Sequence, residues 1–465
     1  MSKRFLIFFL LLTSLVACQN TSFPDVKWKY IDSSDQTTEP SFKNDKEKIK
    51  WYTKNGYICI DNVIYGPNTL LYANAERISY YVFGSYGESS NITILDEVNG
   101  LPVTYVSSGF QECSHLRTLY IGKNIENIST DALQGCFSLT NIVIDDNNKN
   151  LVFSNGLLYT TQQAWCSLIF CSPEVNGTVR LPENTSHVST MAFSVASEIT
   201  EIVVGKDLVQ FSDYGYLPKL FDIKIAEENN NFTAKEGVIY SKDEKRIEYI
   251  CPNRFERFEI PESVTTFGCS FNHCTRLKTI VINEQLDAEI KYTYDEPHFY
   301  PNMLHCPSLE EIIVNDKNPW LTSYDGCLYR KDLRKLYCVP EGKSEVTLHE
   351  KTESICSYAF ANFKSNILVI PDKVDTIGFL AFDGSSIDSV VLGSGIAEID
   401  DRAFTRCFSK INDLYYHGTV EQLSKVQIHE HNKYLVLATR YYYSEEKPTE
   451  RGRYWHYVDG AVTKW

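Results

Sequence analysis

The chain has 465 residues, of which 43% are hydrophobic and 23% are charged, a composition typical of a folded protein with a large core. Its 60 acidic residues outnumber its 45 basic residues, and the net charge of -15 argues against nucleic acid as a partner. None of its 14 cysteines belongs to a Cys-x-x-Cys pair, which removes support for a zinc ribbon or a thioredoxin-type site.

Residues 1–18 have the pattern of a secretory signal peptide. Lys3 and Arg4 precede an apolar run that is too short to span a bilayer. The run ends in Leu15-Val16-Ala17-Cys18, which resembles the lipobox of bacterial lipoproteins, whose cysteine receives a diacylglycerol. The alternative is an ordinary signal peptide that contains a cysteine. No other segment has ~18 consecutive apolar residues, so a lipid on Cys18 is the only membrane attachment that we expect.

Two segments separate this leader from the rest of the chain. Residues 19–50 are polar and predict a disordered tether. Residues 51–91 contain the apolar groups Tyr57-Ile58-Cys59-Ile60 and Leu70-Leu71-Tyr72. We expect them to form an N-terminal cap, because a bare terminal repeat would expose its core.

Residues 92–416 repeat one phrase: an apolar residue, two variable residues, an apolar residue, one variable residue and an apolar residue. Its alternating end predicts a short strand. Full copies end at Ile121, Ile144, Val204, Ile225, Ile282, Val314, Leu392 and Tyr416, and shorter copies end at Ile94, Leu181, Ile260, Leu348 and Ile370. These thirteen candidate strands are often 21 to 24 residues apart, which is the period of a leucine-rich repeat.

A small residue followed by a bulky one stands before most phrases, as in Ala359-Phe360 and Ala381-Phe382. This pair predicts a short helical turn on the other side of the core. A cysteine often follows three residues later, at positions 113, 136, 274 and 407. We interpret these cysteines as buried free thiols, with a metal site or disulfides as the alternative.

Three longer intervals each contain a glycine-led apolar run, followed by a polar turn and a second apolar run. The runs begin at Asn155-Gly156, Glu236-Gly237 and Asp325-Gly326. This pattern predicts three lateral β-hairpins. The predicted fold is therefore a β-rich α/β solenoid with a parallel sheet of about thirteen short strands, short helical turns opposite the sheet, and three hairpin insertions.

Residues 417–465 depart from the repeat and predict a C-terminal cap. Thr419-Val420-Glu421-Gln422 fits a capping box that opens a short helix through Val426. Residues 434–443 and 454–462 predict closing strands.

Motifs for catalysis are incomplete, and we expect neither enzymatic activity nor a cofactor. Gly393-Ser394-Gly395 lacks the full nucleophile elbow and fits a turn. His429-Glu430-His431 lacks the spacing of a helical zinc pair and fits a solvated loop. His273-Cys274 and His305-Cys306 recur with the repeat and favour a structural role. A disulfide between Cys166 and Cys171 would require an oxidising compartment.

The phrase Ala-Phe-x-x-Cys-x-x-Leu-x-x-Ile-x-Ile, best preserved at residues 270–282 and 403–416, resembles the BspA-type leucine-rich repeats of bacterial surface proteins. The resemblance extends from about residue 91 to the C-terminus and includes Tyr441-Tyr442-Tyr443-Ser444. It implies a cell-surface location and adhesion or contact with an extracellular or host protein.

The outward face of the sheet is the predicted binding surface, because alternation directs one residue of each phrase away from the core. Acidic residues such as Glu201, Asp222 and Glu311 flank this mainly apolar row, as expected of a protein-contact surface. Alternatives are a glycan-binding accessory protein, a structural scaffold of the envelope, or β-branched residues that only stabilise an exposed strand. The nine predicted contact residues are Tyr120, Val143, Val203, Lys224, Val281, Ile313, Val369, Val391 and Tyr415.

Overall fold

The computed structural model describes residues 41–68, 79–162, 165–189, 191–212, 217–267, 271, 273–286, 306–405, 407 and 411–465. Contacts divide the chain into a small unit, Met1–Cys59, and a large unit, Ile60–Trp465. The predicted signal peptide with Cys18 lies outside the described residues, as do Leu70-Leu71-Tyr72 of the predicted N-terminal cap. Among the described residues, no helix has both the length and the apolar content needed to cross a bilayer.

Near the N-terminus, a helix at Asp45–Lys54 precedes a strand at Ile58–Ile60. The Asn44 side chain caps this helix by accepting a hydrogen bond from the Glu47 amide at 3.0 Å. The Trp51 ring packs against Phe42 at a centroid distance of 5.9 Å. The predicted tether, residues 19–50, is therefore wrong at its C-terminal end, because the cap and the aromatic contact hold residues 45–50 in a helix.

The large unit is a solenoid with a row of short parallel strands along one wall, which we call the front row. Twelve of the thirteen predicted strands are present, and the fold is confirmed. The prediction of one uninterrupted sheet is wrong, because the long insertions divide the row into four hydrogen-bonded sheets. These are Asn91–Thr93, Thr118–Ile121 and Asn141–Ile144; Gly177–Arg180, Ile199–Val204 and Asp222–Ile225; Arg257–Glu259, Thr279–Ile282 and Glu311–Val314; and Lys364–Ile370, Ser386–Leu392, Asp413–Tyr416, Thr439–Tyr443 and Tyr454–Val458, closed by the antiparallel Ala461–Lys464.

The thirteenth predicted strand, around Val346 and Leu348, is not formed. The amide of Thr347, which lies between them, donates to the Asp325 carboxylate at 2.7 Å. This amide is therefore not available to bond to a neighbouring strand. Leu348 is nevertheless buried in the core. The apolar spacing therefore correctly predicted that Leu348 is buried, although the backbone at Thr347 bonds to the Asp325 side chain and not to a neighbouring strand.

A second set of strands, the back row, forms the other wall of the same core. Its parallel members are mostly two to four residues long: Leu101–Val106, Asn127–Ile128, Thr185–Val188, Gln210–Phe211, Thr266–Phe267, Ser354–Ile355, Thr376–Ile377, Glu398–Ile399 and Gln427–Ile428. At the N-terminal end, Val63–Asn68 pairs antiparallel with Ser79–Ser85, which runs parallel to Leu101–Val106, and Glu97–Val98 pairs antiparallel with Leu101–Val106.

The three predicted hairpins are confirmed, and each has one more strand than predicted. They comprise Leu151–Ser154, Leu157–Gln162 and Trp165–Cys171; Phe232–Lys235, Val238–Ser241 and Arg246–Ile250; and Leu321–Tyr324, Cys327–Arg330 and Lys335–Cys338. The last strand of each trio pairs parallel with a back-row strand, so the hairpins are continuous with the back-row sheets. The additional strand turns at Asn155-Gly156 and its two equivalents, where both residues have positive φ, as a type I′ turn requires.

The predicted helical turns are tight turns held by hydrogen bonds from each amide to the carbonyl three residues earlier, as at Ala359 and Cys356. Successive turns are also joined, because the Phe360 amide donates to the Ala381 carbonyl at 2.8 Å. Their phenyl rings stack in the core, with centroid distances of 4.8 Å from Phe360 to Phe382 and 4.3 Å from Phe382 to Phe404.

The cysteines that follow these turns are free thiols, and most of them are buried, as predicted. Cys136 Sγ donates to the Phe110 carbonyl of the preceding turn at 3.0 Å, and Cys306 Sγ makes the same bond to Phe271 at 2.7 Å. Burial raises the pKa of Cys136 to about 12, so its reactive thiolate is scarce. The thiol therefore satisfies a backbone carbonyl that the stacking has removed from water.

Buried asparagines hold successive coils together at the turn that follows a front-row strand. Asn229 Nδ2 donates to the Lys206 and Leu208 carbonyls of the previous coil, both at 2.9 Å. Its Oδ1 accepts from the Asn231 and Phe232 amides of its own turn, both at 2.8 Å. We call this fourfold arrangement an asparagine clamp. The buried Asn283 and Asn318 and the half-buried Asn148 repeat the pattern.

The C-terminal end begins with the predicted capping box. Thr419 Oγ1 accepts from the Gln422 amide at 3.2 Å, and Gln422 Oε1 accepts from the Thr419 amide at 2.8 Å. The helix is Val420–Leu423 and so ends before the predicted Val426. A second helix, Lys433–Val436, occupies the start of the first predicted closing strand, and the other closing segment is a hairpin of Tyr454–Val458 and Ala461–Lys464.

Replacing the clamp residue Asn229 by Asp should destabilise the large unit. The substitution removes the two amide donors and places a carboxylate against two buried carbonyls, which should cost about 2 kcal/mol or more in the free energy of unfolding. The neighbouring Asn230 is exposed, so Asn230→Asp is a matched control. Thermal and urea unfolding followed by circular dichroism should show a lower midpoint for Asn229→Asp only, and equal midpoints would contradict the clamp.

Candidate recognition surface

The outward positions of the front row are set by strand alternation and by the pairing register. Tyr120 stands beside Val143, Val203 beside Lys224, and Val281 beside Ile313. Val369 begins the last series, in which it stands beside Val391 and then Tyr415. The structure therefore brings the nine predicted residues into one column within each sheet, as the repeat predicts.

Three of the predicted apolar residues are well exposed: Tyr120 and Val143 at 41% each and Val369 at 44%. Ile367, on the same strand and face as Val369, is also exposed. Val203, Val281 and Ile313 are half-buried, and Lys224 is exposed. The well-exposed apolar side chains of this face thus lie in the first and fourth sheets of the row, and the half-buried ones lie in the second and third.

Charged residues interrupt the apolar column at positions that the sequence prediction missed. Arg180 is in register with Val203, and Glu259 with Val281. Both belong to the shorter copies of the phrase, whose central residue points outward by the same alternation. The same alternation was the sequence signal that identifies Arg180 and Glu259 as outward-facing residues.

Ion pairs fix the charged side chains on this face. Lys224 bonds to the Glu201 carboxylate, which also accepts from the Thr178 hydroxyl at 3.0 Å. These contacts lower the pKa of Glu201. Arg257 Nε lies 2.9 Å from Glu259 Oε1. The face therefore alternates apolar zones with paired charges and is not one continuous apolar strip.

Val391 and Tyr415, at 2% and 7% exposure, are buried, so their predicted contact role is wrong. Trp455 packs edge-on against the Tyr415 ring at 5.7 Å, and its Nε1 donates to the Tyr416 carbonyl at 3.0 Å. Lys464 of the same hairpin reaches Asp413 at 2.8 Å. Alternation identifies the outward side of a strand, but it does not reveal that a distant hairpin covers that side.

A polar cluster lies at the carboxyl ends of the last front-row strands. Asp372 Oδ1 accepts from the Ser394 amide at 2.8 Å, from the Ser394 hydroxyl at 3.1 Å and from His417 Nδ1 at 2.8 Å. Partial burial opposes ionisation, yet the Ser394 amide and His417 hold the pKa of Asp372 below its usual value. Ser394 donates to the carboxylate and not to the imidazole, which is not the order of a nucleophilic triad.

The glycines around Ser394 have a packing role. A Cβ at Gly393 would lie 2.4 Å from the Pro371 carbonyl oxygen, and one at Gly395 would lie 2.0 Å from the Asp372 carbonyl oxygen. The turn approaches the previous coil too closely for any larger residue. The motif is thus the turn that the sequence indicates.

The remaining motifs are separated in the structure. His429 Nε2 faces Glu398 and His431 Nδ1 faces Asp401, each at 2.8 Å, so the two imidazoles bond to different carboxylates. Cys166 and Cys171 are free thiols, and Cys274 is buried next to His273, whereas His305 lies outside the described residues. Among the described residues, no group of three or more His, Cys, Asp or Glu side chains is arranged to hold a metal ion.

Comparison with known proteins identifies the repeat. The BspA type leucine rich repeat region matches in six copies, at residues 33–158, 249–324 and 341–433. No curated protein sequence matches the chain.

Solved structures of several bacterial proteins are similar to the chain. A leucine-rich cell surface protein of Faecalibacterium prausnitzii is 14% identical, with a TM-score of 0.30, and the match covers 80% of this chain and 97% of that one. The pneumococcal vaccine antigen PcpA is 16% identical, with a TM-score of 0.32 and coverage of 84% and 94%. A leucine-rich repeat protein of Bacteroides ovatus is 14% identical, with a TM-score of 0.27 and coverage of 83% and 99%.

The family match spans more than half of the sequence and includes the first and third sheets of the front row and the first three strands of the fourth. The chain belongs to the family of proteins with BspA-type leucine-rich repeats.

Proposed function

We propose that this protein is a lipid-anchored cell-surface receptor or adhesin that recognises another protein through its front row. The observation that carries the proposal is the exposure of large apolar side chains on a regular sheet face, at Tyr120, Val143, Ile367 and Val369. Such residues lose contact with water when a partner covers them, which favours association by roughly 25 cal/mol per Å² of apolar surface buried.

The charged zones of the same face favour protein as the partner. Arg180, Lys224 and Glu259 lie in the outward column between the apolar zones. A protein surface offers apolar and charged groups together, and charged pairs at such a face set orientation and partner choice more than affinity. The partner that fits is an extracellular protein with an apolar patch flanked by charges of both signs.

Binding without catalysis is the role that we propose for the repeat. Ser394, the one candidate nucleophile in the sequence, is bonded to Asp372 in a tightly packed turn. His429 and His431 are each bonded to a carboxylate of the coil before them. These arrangements satisfy polar groups between coils, and none of them is a hydrogen bond from the Ser394 hydroxyl to an imidazole, as a nucleophilic triad requires.

The location that we propose rests on the sequence of the leader. Basic residues, a short apolar run and Leu15-Val16-Ala17-Cys18 precede the repeats. A lipid on Cys18 would hold the solenoid outside the membrane, where an extracellular protein can reach the front row.

Replacing Cys18 by Ser should abolish lipidation, because the hydroxyl does not replace the thiol as the acceptor of the diacylglycerol. The expected result is protein that remains unprocessed or leaves the membrane fraction, measured by fractionation and by mass spectrometry of the N-terminal peptide. Cys59→Ser is the matched control and should remain in the membrane fraction. A Cys18→Ser chain that is processed and membrane-bound like the wild type would refute the anchor.

Replacing Tyr120 by Ala or Ile313 by Asp should weaken partner capture. A central contact residue at a protein interface is expected to contribute on the order of 1 to 4 kcal/mol to binding. The measurement is surface plasmon resonance against a panel of immobilised extracellular-matrix proteins, with binding to at least one of them expected for the wild type.

Tyr324→Ala and Val152→Asp are matched controls, since both residues are exposed on hairpin strands that belong to the back-row sheets. Only the front-row variants should lose affinity, while all four should retain the circular dichroism spectrum of the wild type. Equal affinity for the wild type and both front-row variants would place the binding surface elsewhere.

A further inference from the structure

Three polar side chains converge where three neighbouring front-row strands end. Asp372 follows the strand Lys364–Ile370, Ser394 follows Ser386–Leu392, and His417 follows Asp413–Tyr416. His417 Nδ1 contacts both carboxylate oxygens of Asp372, at 2.8 and 2.9 Å. The carboxyl ends of parallel strands meet at one edge of a sheet, and such an edge commonly binds ligands.

Aromatic rings line one side of this cluster. The His417 ring lies 4.4 Å from Tyr443, 5.8 Å from Trp455 and 6.3 Å from Tyr457, measured between centroids. Trp455 is fully buried and supports Tyr457 edge-on at 5.0 Å, whereas Tyr457 itself is 40% exposed. Burial, followed by the charge of Asp372, raises the pKa of Tyr457.

Part of this arrangement is a general feature of the repeat and does not by itself indicate a binding site. The same aspartate-to-amide bond occurs near the other end of the solenoid, where the Lys123 amide donates to Asp96 Oδ1 at 2.8 Å. There the turn carries Lys123, whose ammonium lies 3.7 Å from Asp96, and the next coil carries the exposed Asp145. The bond from Ser394 to Asp372 is therefore a repeat feature, and the imidazole with its aromatic neighbours is the local addition.

The hydrogen-bonding groups of the cluster favour a ligand rich in hydroxyl groups. Because His417 Nδ1 faces the carboxylate, a neutral imidazole carries its proton there and presents Nε2 as an acceptor. Asp372 Oδ1 already accepts three hydrogen bonds, and Oδ2 has capacity for another. The exposed Tyr457 ring offers an apolar surface beside two acceptors, which matches the C–H face and adjacent hydroxyls of a pyranose.

We propose that Asp372, His417, Tyr443 and Tyr457 form a binding site for a neutral carbohydrate at the C-terminal end of the front row. The sugar stacks on Tyr457 and donates hydroxyl hydrogen bonds to Asp372 Oδ2 and His417 Nε2. The three donors on Oδ1 stabilise the ionised carboxylate, whose Oδ2 accepts the hydrogen bond from the sugar hydroxyl. The site uses none of the exposed apolar residues of the front row, so we propose it in addition to the protein-recognition surface.

Affinity electrophoresis of the full chain in gels that contain neutral polysaccharides tests the site. The probes are starch, mannan, xyloglucan, galactan and mixed-linkage β-glucan, followed by calorimetry with oligosaccharides of any polysaccharide that retards the protein. We expect retardation by at least one probe and at least tenfold weaker binding for Tyr457→Ala and for His417→Gln.

Two matched controls separate the site from the fold. Asp96→Asn removes the equivalent repeat contact at the other end of the solenoid, and Trp465→Ala removes an exposed ring that stacks on His456, on the opposite face of the closing hairpin. Both variants should bind the glycan like the wild type, and circular dichroism should show that all four variants are folded. The proposal is overturned if no neutral probe retards the wild type, or if Tyr457→Ala and His417→Gln remain folded and bind undiminished.

Discussion

The buried asparagine that bonds both to the coil before it and to its own turn is the interaction on which this solenoid depends. A stack of coils removes turn carbonyls and amides from water, and each must find a partner. The Asn318 side chain supplies four such partners, with Nδ2 bonded to Asn283 and Leu286 and Oδ1 bonded to Trp320 and Leu321. Because each clamp joins two coils, it also fixes the position of one strand relative to the next.

The clamps occur where the chain leaves the regular repeat. Asn148, Asn229 and Asn318 each stand directly before one of the three hairpins. The clamp thus stabilises the coil at the point where an insertion would otherwise leave the turn without backbone partners. The hairpins also divide the front row into its four sheets.

The sequence predicted most of the fold because the information was periodic. Twelve of the thirteen strands predicted from the spacing of apolar residues are present, and the glycine-led runs located the hairpins. The exception at Val346 and Leu348 arose from a side-chain bond to Thr347, which hydrophobic spacing does not encode. The asparagines were visible in Asp145-Asp146-Asn147-Asn148, but a polar run normally indicates an exposed turn.

The outward face was predicted less well, because exposure depends on residues distant in the chain. Tyr120 and Val143 are exposed as expected, whereas Trp455 covers Tyr415 from a hairpin 40 residues later in the sequence. The same hairpin places Tyr457 beside His417 and Asp372, and no motif in the sequence connects these three residues. Local alternation predicts which way a side chain points, and only the tertiary structure shows what lies above it.

Amide hydrogen exchange of the full chain tests the clamps most directly. The amides of Leu151, Phe232 and Leu321 donate to clamp oxygens at 3.0, 2.8 and 2.8 Å, although they lie at the bases of insertions. If the clamps hold the coils together, these amides should exchange as slowly as those of the adjoining front-row strands. Exchange within seconds, as in an exposed loop, would contradict the account.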